Sequence, residues 1–414
     1  MSISMAWRVF CFVLIGWGLR VTGLKAQDLL PSTLGEGAQI SILVIEPSPE
    51  AVYTLYGHAA LRVTDPNEGL DVVFNYGLFQ FDDSFIYKFV KGQTDYFAAP
   101  EHTSYFIQGY TERGSQVKEL LLRFPSEVKQ LLWQKILRSI EPKYREYRYN
   151  FFRDNCSTRP VQLILNAAQE ATRWRLELPS LHEQGRSWRS EINALERAYP
   201  WVVLGTDLAL GAPTDELVNN QEATFLPHNI APFFAHGSWF NLYNQESEPL
   251  LIGEQVYEAA AGTCILRQPP GLVSYLMHPY TLFGAFLLLT LLVTFVFPVG
   301  YKALELVVLV GVAGASFVLF YITVLSEHPS VWPNYNLLVL HPLHMLRPLL
   351  IGRWARRWVL YYHFANFALQ AMFMVGAYFL PQAFNLSIYM LSATLLVLSL
   401  GRLIEAKRGT WSNT

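Results

Sequence analysis

Two residues of this 414-residue sequence have the chemistry of a thiol catalyst, Cys156 and His58. A cysteine nucleophile needs a lowered thiol pKa and a base within hydrogen-bond reach. Pro160 has no N–H and fits only the first turn of a helix, so a helix must begin shortly after Cys156. The free N–H groups at that helix start would stabilise a thiolate and, with Asn155 nearby, could receive an oxyanion. We therefore predict that Cys156 is a nucleophile with a stabilised thiolate.

The base should be a histidine on an adjacent strand, and His58 is best placed because it opens a predicted strand. A third polar group usually orients the imidazole. We choose Asn75, at the end of the next predicted strand, and keep Asp154 and Tyr56 as alternatives. Arg159 is a further candidate for a supporting role. Histidines that stand in loop-like or helical contexts are expected to be surface or core residues: His102, His182, His228 and His236.

The elements that must position these residues are short and apolar. Short runs of strand-forming residues separated by turn residues predict an antiparallel meander. Apolar residues at helical spacing predict two helices. The predicted strands are 39–46, 59–64, 71–76 and 117–124, and the predicted helices are 126–140 and 161–171. The segments 206–215 and 225–227 are expected to be loops packed on this domain. The expected class is therefore α+β.

The second part of the chain has a different composition. Only eight charged residues occur in the 130 positions from Tyr275 to Ile404, against 56 in the other 284. Such a step separates a part solvated by water from a part solvated by lipid. The candidate membrane spans are 278–298, 303–325, 335–351, 358–380 and 384–402, of which the third is short and could instead be re-entrant. We predict an all-α membrane domain of about five helices.

Charge placement predicts the orientation of these spans. Five spans place Lys302, the cluster Arg353, Arg356 and Arg357, and the basic C-terminal tail on the cytoplasmic side, as the positive-inside rule requires. Glu327, His328 and Asn334 then face the periplasm beside the exported domain, where we expect substrate contacts. His341 and His344 share a helical face but lack a third ligand in the sequence. We predict no metal, and interior hydrogen bonds for both histidines.

The N-terminus has the layout of a signal peptide, with Arg8, an apolar run and a small residue at Ala26. The predicted domains are a signal peptide at 1–26, a periplasmic domain at 27–274, a transmembrane domain at 275–404 and a cytoplasmic tail at 405–414. A net charge of −2 gives no indication of nucleic-acid binding. In an oxidising compartment, a Cys156–Cys264 disulfide is the alternative to a reactive thiol.

Several motifs resemble the N-terminal periplasmic domain of the Bacteroidetes lipoprotein N-acyltransferase family. The matching segments are Tyr-Gly-His-Ala-Ala-Leu-Arg-Val at 56–63, Phe-Asn-Tyr-Gly at 74–77, Asn-Phe-Phe-Arg-Asp-Asn-Cys-Ser-Thr-Arg at 150–159, Phe-Leu-Pro at 225–227 and Trp-Pro-Asn-Tyr-Asn-Leu-Leu at 332–338. The chain departs from the family at Glu46-Pro47-Ser48-Pro49, where members often carry another cysteine.

The resemblance implies a permuted papain-like fold of the NlpC/P60 group, in which the histidine precedes the cysteine. It also implies transfer of an acyl chain through a cysteine thioester. The partners would be a membrane phospholipid as donor and a diacylglyceryl-modified lipoprotein as acceptor, without a cofactor, at the bacterial inner membrane.

Three functions remain open from the sequence. An acyltransferase whose donor and acceptor both lie in the membrane explains why a catalytic domain is fused to several spans. A membrane-tethered cysteine peptidase or amidase acting on cell-wall peptides could use the same pair of residues, although one span would suffice as a tether. A non-enzymatic lipid-binding or partner-binding module is the third.

Overall fold

The computed structural model describes residues 30–80, 84–178, 185–260, 271–296, 300–350 and 355–408. The predicted signal peptide, Cys264, His182 and Arg353 lie outside these ranges. The described chain consists of a mixed α/β N-terminal domain with a sheet, followed by a helical C-terminal domain with transmembrane-like helices.

A seven-stranded sheet, in the order β10-β5-β1-β2-β3-β4-β6, forms the centre of the N-terminal domain. Strands β1 to β4 follow each other as an antiparallel meander. The turn residues between them predicted β1 to β3, whereas β4 was not predicted from the sequence. Three further strands, β7, β8 and β9, form a separate small sheet. The strands are β1 Gln39–Ile45, β2 His58–Asp65, β3 Leu70–Leu78, β4 Asp95–His102, β5 Val117–Leu122, β6 Glu146–Arg148, β7 Trp174–Glu177, β8 Ser238–Asn241, β9 Ser247–Pro249 and β10 Leu251–Tyr257.

The helices cover both faces of the large sheet. Alternate residues of a strand point to opposite faces, so Ile42 of β1 packs in the core that contains Trp133. Its neighbour Leu43 packs on the other face, with Phe106. The helices of this domain are α1 Phe85–Lys91, α2 Thr103–Thr111, α3 Ser126–Ser139, α4 Thr158–Glu170, α5 Trp188–Glu196, α6 Pro200–Ala209 and α7 Ile230–Phe234. The expectation that 206–215 is a loop is wrong in its first part, because α6 continues to Ala209.

The C-terminal domain contains α8 Leu272–Leu276, α9 Pro279–Phe295, α10 Tyr301–Phe320, α11 Leu343–Leu346, α12 Arg356–Gly376 and α13 Leu386–Arg408. Two described helices are long and apolar enough to cross a bilayer, α10 extended to Leu325 and α13. The third predicted span is not one helix. The described part from Tyr335 to Leu350 consists of two 3₁₀ turns and the short α11, because Pro342 and Pro348 cannot donate backbone hydrogen bonds.

Polar side chains inside the helical domain bond to one another. Arg402 of α13 pairs with Glu305 of α10 at 2.9 Å, and His363 of α12 lies 3.1 Å from the same carboxylate. The imidazoles of His341 and His344 stack at 3.8 Å. These two rings bond to α12, His341 to Asn366 at 2.9 Å and His344 to Tyr362 at 2.7 Å. The histidine pair thus stabilises the broken segment, and the described residues contain no group of side chains suited to a metal ion.

The two domains are joined where the loop after α10 meets the end of α6. The Gly211 N–H donates to the Ser330 carbonyl at 2.9 Å, and the Ala212 N–H to that of Pro333 at 2.8 Å. Asn334 is only 3% exposed and donates its amide hydrogens to the carbonyls of α6 residues 208 and 209. The Asn334 donors are therefore used at the domain junction, which gives no support to the predicted substrate contact.

Candidate active site

Cys156 lies in the turn that leads into α4, two residues before the helix begins at Thr158. The side chain of Asn155 fixes this turn. Its Oδ1 accepts the N–H groups of Ser157 and Thr158, each at 2.8 Å. Its Nδ2 donates to the carbonyls of Phe151 at 2.7 Å and Phe225 at 2.9 Å. Both amide hydrogens are used, so the Asn155 side chain is a structural cap and is not the oxyanion donor that the sequence suggested.

The imidazole of His58 is oriented by Asn75, on the neighbouring strand β3. Its Nε2 lies 2.9 Å from Asn75 Oδ1, an oxygen that also accepts the Gly77 N–H at 3.0 Å. Asn75 Nδ2 donates to Glu101 Oε1 at 3.1 Å, which fixes the orientation of the amide. Because Oδ1 can only accept, the neutral imidazole carries its proton on Nε2. Its Nδ1 is therefore left with a free lone pair.

Gly77 is the point at which His58 and Cys156 approach each other. A Cβ atom placed on Gly77 would lie 3.3 Å from the Cys156 Cβ and 3.3 Å from His58 Nδ1. The same atom would lie only 2.5 Å from His58 Cε1, which is closer than non-bonded carbon atoms come. The basic edge of the imidazole and the cysteine side chain thus share the space that a glycine leaves open.

Two opposing effects act on the Cys156 thiol, which is a free cysteine. Burial among apolar neighbours raises its pKa, while the backbone N–H groups of Ala59, Cys156 and Ser157 lower it. Burial is the larger effect, and the pKa rises to about 11. The predicted helix-start N–H groups are in place, but the expectation of a net lowered pKa is wrong because desolvation outweighs them.

The surroundings of His58 keep the imidazole neutral. Burial lowers its pKa to about 4, the hydrogen bond to Asn75 opposes that shift, and the charge of Arg113 adds to it. The ring of Tyr110 stacks on the imidazole with the centroids 5.5 Å apart. At neutral pH the structure therefore pairs an uncharged thiol with an uncharged base.

The other candidate orienting residues have different partners. The Tyr56 hydroxyl donates to Glu196 Oε1 at 2.6 Å. Asp154 forms a two-point ion pair with Arg159, at 2.6 and 2.9 Å. The Arg159 guanidinium also lies over the ring of Tyr147 at 3.3 Å. Asp154 and Arg159 thus stabilise the segment around Cys156, and neither Asp154 nor Tyr56 orients His58.

Cys156 opens into a cavity of about 280 Å³ whose walls are mostly aromatic. We call it the thiol cavity. His328 and Pro329, from the loop after α10, complete its wall, so the C-terminal domain contributes directly to the site. The aromatic wall residues are Tyr53, Tyr56, Phe89, Tyr96, Tyr149, Phe151 and Phe225.

The loop that carries His328 is anchored by its neighbour Glu327. The Glu327 carboxylate accepts from Gln93 at 2.7 Å and pairs with Arg148 at 3.1 Å, and its N–H donates to the Lys91 carbonyl at 2.7 Å. Of the three residues predicted to contact substrate from the membrane side, only His328 lines the thiol cavity. Glu327 supports it by fixing the loop.

A second depression, the polar cleft, adjoins the thiol cavity and has a volume of about 360 Å³. The two share Phe89, Thr94 and Tyr96 as a common wall. The polar cleft differs in character, because its remaining wall includes charged residues of both signs: Lys88, Asp95, Arg145 and Glu146.

Three contributors to this site were not identified from the sequence. Gly77 makes room for the two reactive side chains, Glu101 fixes the Asn75 amide, and the Ala59 N–H points to the sulfur. Gly77 directly follows the predicted strand 71–76, and this was the available signal, although β3 in fact continues to Leu78. Nothing in the sequence indicated Glu101, because it reaches Asn75 only through the pairing of β3 with β4.

The raised pKa predicts how Cys156 reacts with iodoacetamide. Each unit of pH below the pKa leaves about tenfold less thiolate, so the alkylation rate should still be rising between pH 8 and pH 10. The measurement is the rate against pH in a Cys11→Ser/Cys264→Ser background. The control is a thiol introduced by Tyr105→Cys, at a position that is 74% exposed, in protein that also carries Cys156→Ser. A plateau for Cys156 below pH 7 would contradict the burial argument and indicate a thiolate–imidazolium pair.

Comparison with known proteins gives two matches that together cover most of the chain. Residues 36–189 match the family model described as the Lnb N-terminal periplasmic domain, and residues 273–409 match that of the Lnb transmembrane domain. No curated protein and no solved structure matches the chain. Both models come from one family and occur in its domain order, so the chain belongs to the Lnb lipoprotein N-acyltransferase family.

Proposed function

We propose that this protein moves a fatty acyl chain, through a thioester on Cys156, onto the N-terminal cysteine amine of bacterial lipoproteins. The observation that carries the proposal is the close approach of Cys156 and the Nδ1 edge of His58 at Gly77. Cys156 also lines an aromatic cavity whose wall the C-terminal domain helps to form. Because His58 on β2 precedes Cys156, we assign the N-terminal domain to the permuted papain-like arrangement.

In the first half-reaction, His58 Nδ1 accepts the proton of the Cys156 thiol while the sulfur attacks an ester carbonyl of a membrane phospholipid. The carbonyl oxygen becomes an oxyanion, and the candidate donors are the N–H groups of Ala59 and Cys156, which also act on the sulfur. The Ser157 N–H is already bonded to Asn155 Oδ1. The C–O bond then breaks, and the imidazolium gives its proton to the departing lyso-lipid oxygen. The acyl chain remains on Cys156 as a thioester.

In the second half-reaction, the α-amine of a diacylglyceryl-modified lipoprotein attacks the thioester carbonyl. His58 Nδ1 accepts a proton from the amine, the C–S bond breaks, and the proton returns to the sulfur. The product is an amide at the lipoprotein N-terminus, and the thiol is regenerated. The pKa of His58 is about 4, so the imidazole is uncharged at neutral pH. Its Nδ1 can therefore accept a proton in both steps.

The two depressions suit the two ends of the substrates. The aromatic thiol cavity suits acyl chains, because apolar walls desolvate a chain at little cost. The polar cleft, with Lys88, Asp95, Arg145 and Glu146, suits the hydrophilic peptide that follows the modified cysteine. We place the protein in the bacterial inner membrane, with five crossings and this site on the periplasmic side.

A cell-wall peptidase is the main alternative, and the character of the cavity argues against it. A cleft for hydrophilic peptides should bring charged or amide side chains to the nucleophile. Next to Cys156 lie mainly tyrosine, phenylalanine and proline, and the charged residues are confined to the polar cleft. An apolar chamber at the nucleophile favours a lipid chain as the acyl group.

Mass spectrometry of a lipoprotein N-terminus tests the reaction class. With phospholipid vesicles and a diacylglyceryl-modified acceptor, the wild-type protein should add one amide-linked acyl chain. Cys156→Ser should add none. A serine hydroxyl is a far weaker acid and nucleophile than a thiol, and its base is the neutral imidazole of His58. Cys264→Ser is the matched control and should retain activity. Acceptor peptide that is cleaved instead of acylated would establish the amidase.

Substitution of Gly77 tests the geometry without removing a reactive group. Gly77→Ala should lower the acylation rate at least about 100-fold, because the new methyl group displaces the His58 ring from Cys156. Gly109→Ala is the matched control, since a Cβ at that helical position meets no atom within 4 Å. Both variants should keep the wild-type melting temperature to within a few degrees. Wild-type activity in Gly77→Ala would exclude the close approach as a requirement.

A further inference from the structure

The helix α1 and the phenylalanine before it expose an unusual amount of apolar surface. Tyr87 is 64% exposed, Phe89 50%, Val90 47% and Phe79 44%. Phe79, Phe85 and Phe89 lie close together, since Phe79 stacks on Phe85 and Phe85 on Phe89, with centroids 5.0 and 6.0 Å apart. Helical spacing places Tyr87 and Val90 on another side of the same short helix. So much exposed apolar surface, which we call the patch on α1, marks a site of interaction.

The position of α1 is fixed by the periplasmic end of the α10 span. The Lys91 carbonyl accepts the N–H of Glu327, two residues beyond the end of that span at Leu325. Gly92 follows, and a Cβ there would lie 2.5 Å from the His328 nitrogen, so only glycine allows this contact. The ring of Phe89 packs edge-on against His328 with centroids 6.0 Å apart. The helix α1 therefore lies at the level where α10 leaves the hydrocarbon.

Other exposed aromatic side chains occur at the same end of the helical domain. Tyr275 precedes α9 and is 75% exposed, and Trp332, in the loop after α10, is 63% exposed. Tyr378 and Phe379 follow α12 and are 90% and 81% exposed. Tyrosine and tryptophan concentrate where a membrane protein meets the headgroup layer. The contacts of α1 with Glu327 and His328 place its exposed aromatic residues near the same end of the helical domain as this belt.

We infer that α1, with Phe79, is immersed in the headgroup layer of the membrane and forms the entrance through which a lipid chain reaches Cys156. Phe89 connects the two surfaces, since it is half exposed and also lines the thiol cavity. Lys91 in the last turn suits anionic headgroups, while Tyr87 and Val90 suit the upper acyl region. The occupant of the patch is the bilayer surface itself.

Immersion is measured on full-length protein in vesicles of phosphatidylethanolamine and phosphatidylglycerol, without any need for activity. A nitrobenzoxadiazole probe is attached through Tyr87→Cys in a Cys11→Ser/Cys156→Ser/Cys264→Ser background. Tyr105→Cys is the matched control, because Tyr105 is 74% exposed against 64% for Tyr87. Tyr105 lies in α2, which follows the C-terminal end of β4, whereas α1 precedes the N-terminal end of that strand. Lipids with a nitroxide at a shallow position should quench the probe at 87 at least about threefold more than the probe at 105.

Equal quenching at the two positions would overturn the inference. Protection of the probe at 87 from both lipid nitroxide and aqueous iodide would also overturn it, because the patch would then be covered by protein. If Tyr87→Cys does not fold, Val90→Cys on the same helix is used with the same criteria.

The role as an entrance rests on the proposed function and has a separate test. Tyr87→Ser/Val90→Ser should lower acylation of Cys156 from vesicle phospholipid about tenfold relative to acylation from a soluble short-chain ester. An unchanged ratio would overturn the entrance. A wild-type protein that is acylated by neither donor would refute the proposed function and leave the immersion result unaffected.

Discussion

The account depends on one steric constraint, the absence of a side chain at Gly77 between His58 and Cys156. Pairing of β2 with β3 brings Asn75 to His58, and Asn75 in turn accepts the Gly77 N–H, so one amide oxygen positions both the base and the glycine. The opposite side of the site is fixed by the Asn155 cap. Two asparagines thus hold the two candidate catalytic groups in place. Both side chains are uncharged, so neither adds the large desolvation cost of a charge beside an apolar cavity.

Desolvation then decides the chemistry. It raises the pKa of the thiol to about 11 and lowers that of the imidazole to about 4, so the resting pair is neutral. In the proposed reaction the proton therefore moves as the sulfur attacks. The cost is a less nucleophilic resting state. The mostly aromatic walls of the thiol cavity limit contact with water, which is the competing nucleophile that would hydrolyse the proposed thioester. His328 and Pro329 form part of the same wall, so the proposed reaction would take place where the two domains meet.

The sequence predicted the parts of this site whose signals are local. Pro160 and the Asn-Cys segment indicated a helix start at Cys156, and alternating apolar runs indicated the meander that carries His58 and Asn75. Partners brought together by tertiary structure could not be read in this way. Glu101 meets Asn75 across a strand pair, Tyr56 is held by Glu196 140 residues away, and Asn334 is buried in a junction between domains. The net pKa of Cys156 depends on the cavity walls, which come from six separate segments of the chain.

The most direct test of the central claim is the capture of the acyl group on Cys156. Protein in phospholipid vesicles without acceptor is digested, and the peptide that contains Cys156 is analysed by mass spectrometry before and after treatment with neutral hydroxylamine, which cleaves thioesters. The account predicts a hydroxylamine-sensitive acyl chain on Cys156 in the wild type, and its loss in both His58→Ala and Gly77→Ala. Acylation at the wild-type level in His58→Ala, or acylated lipoprotein produced with no adduct ever present on Cys156, would contradict it.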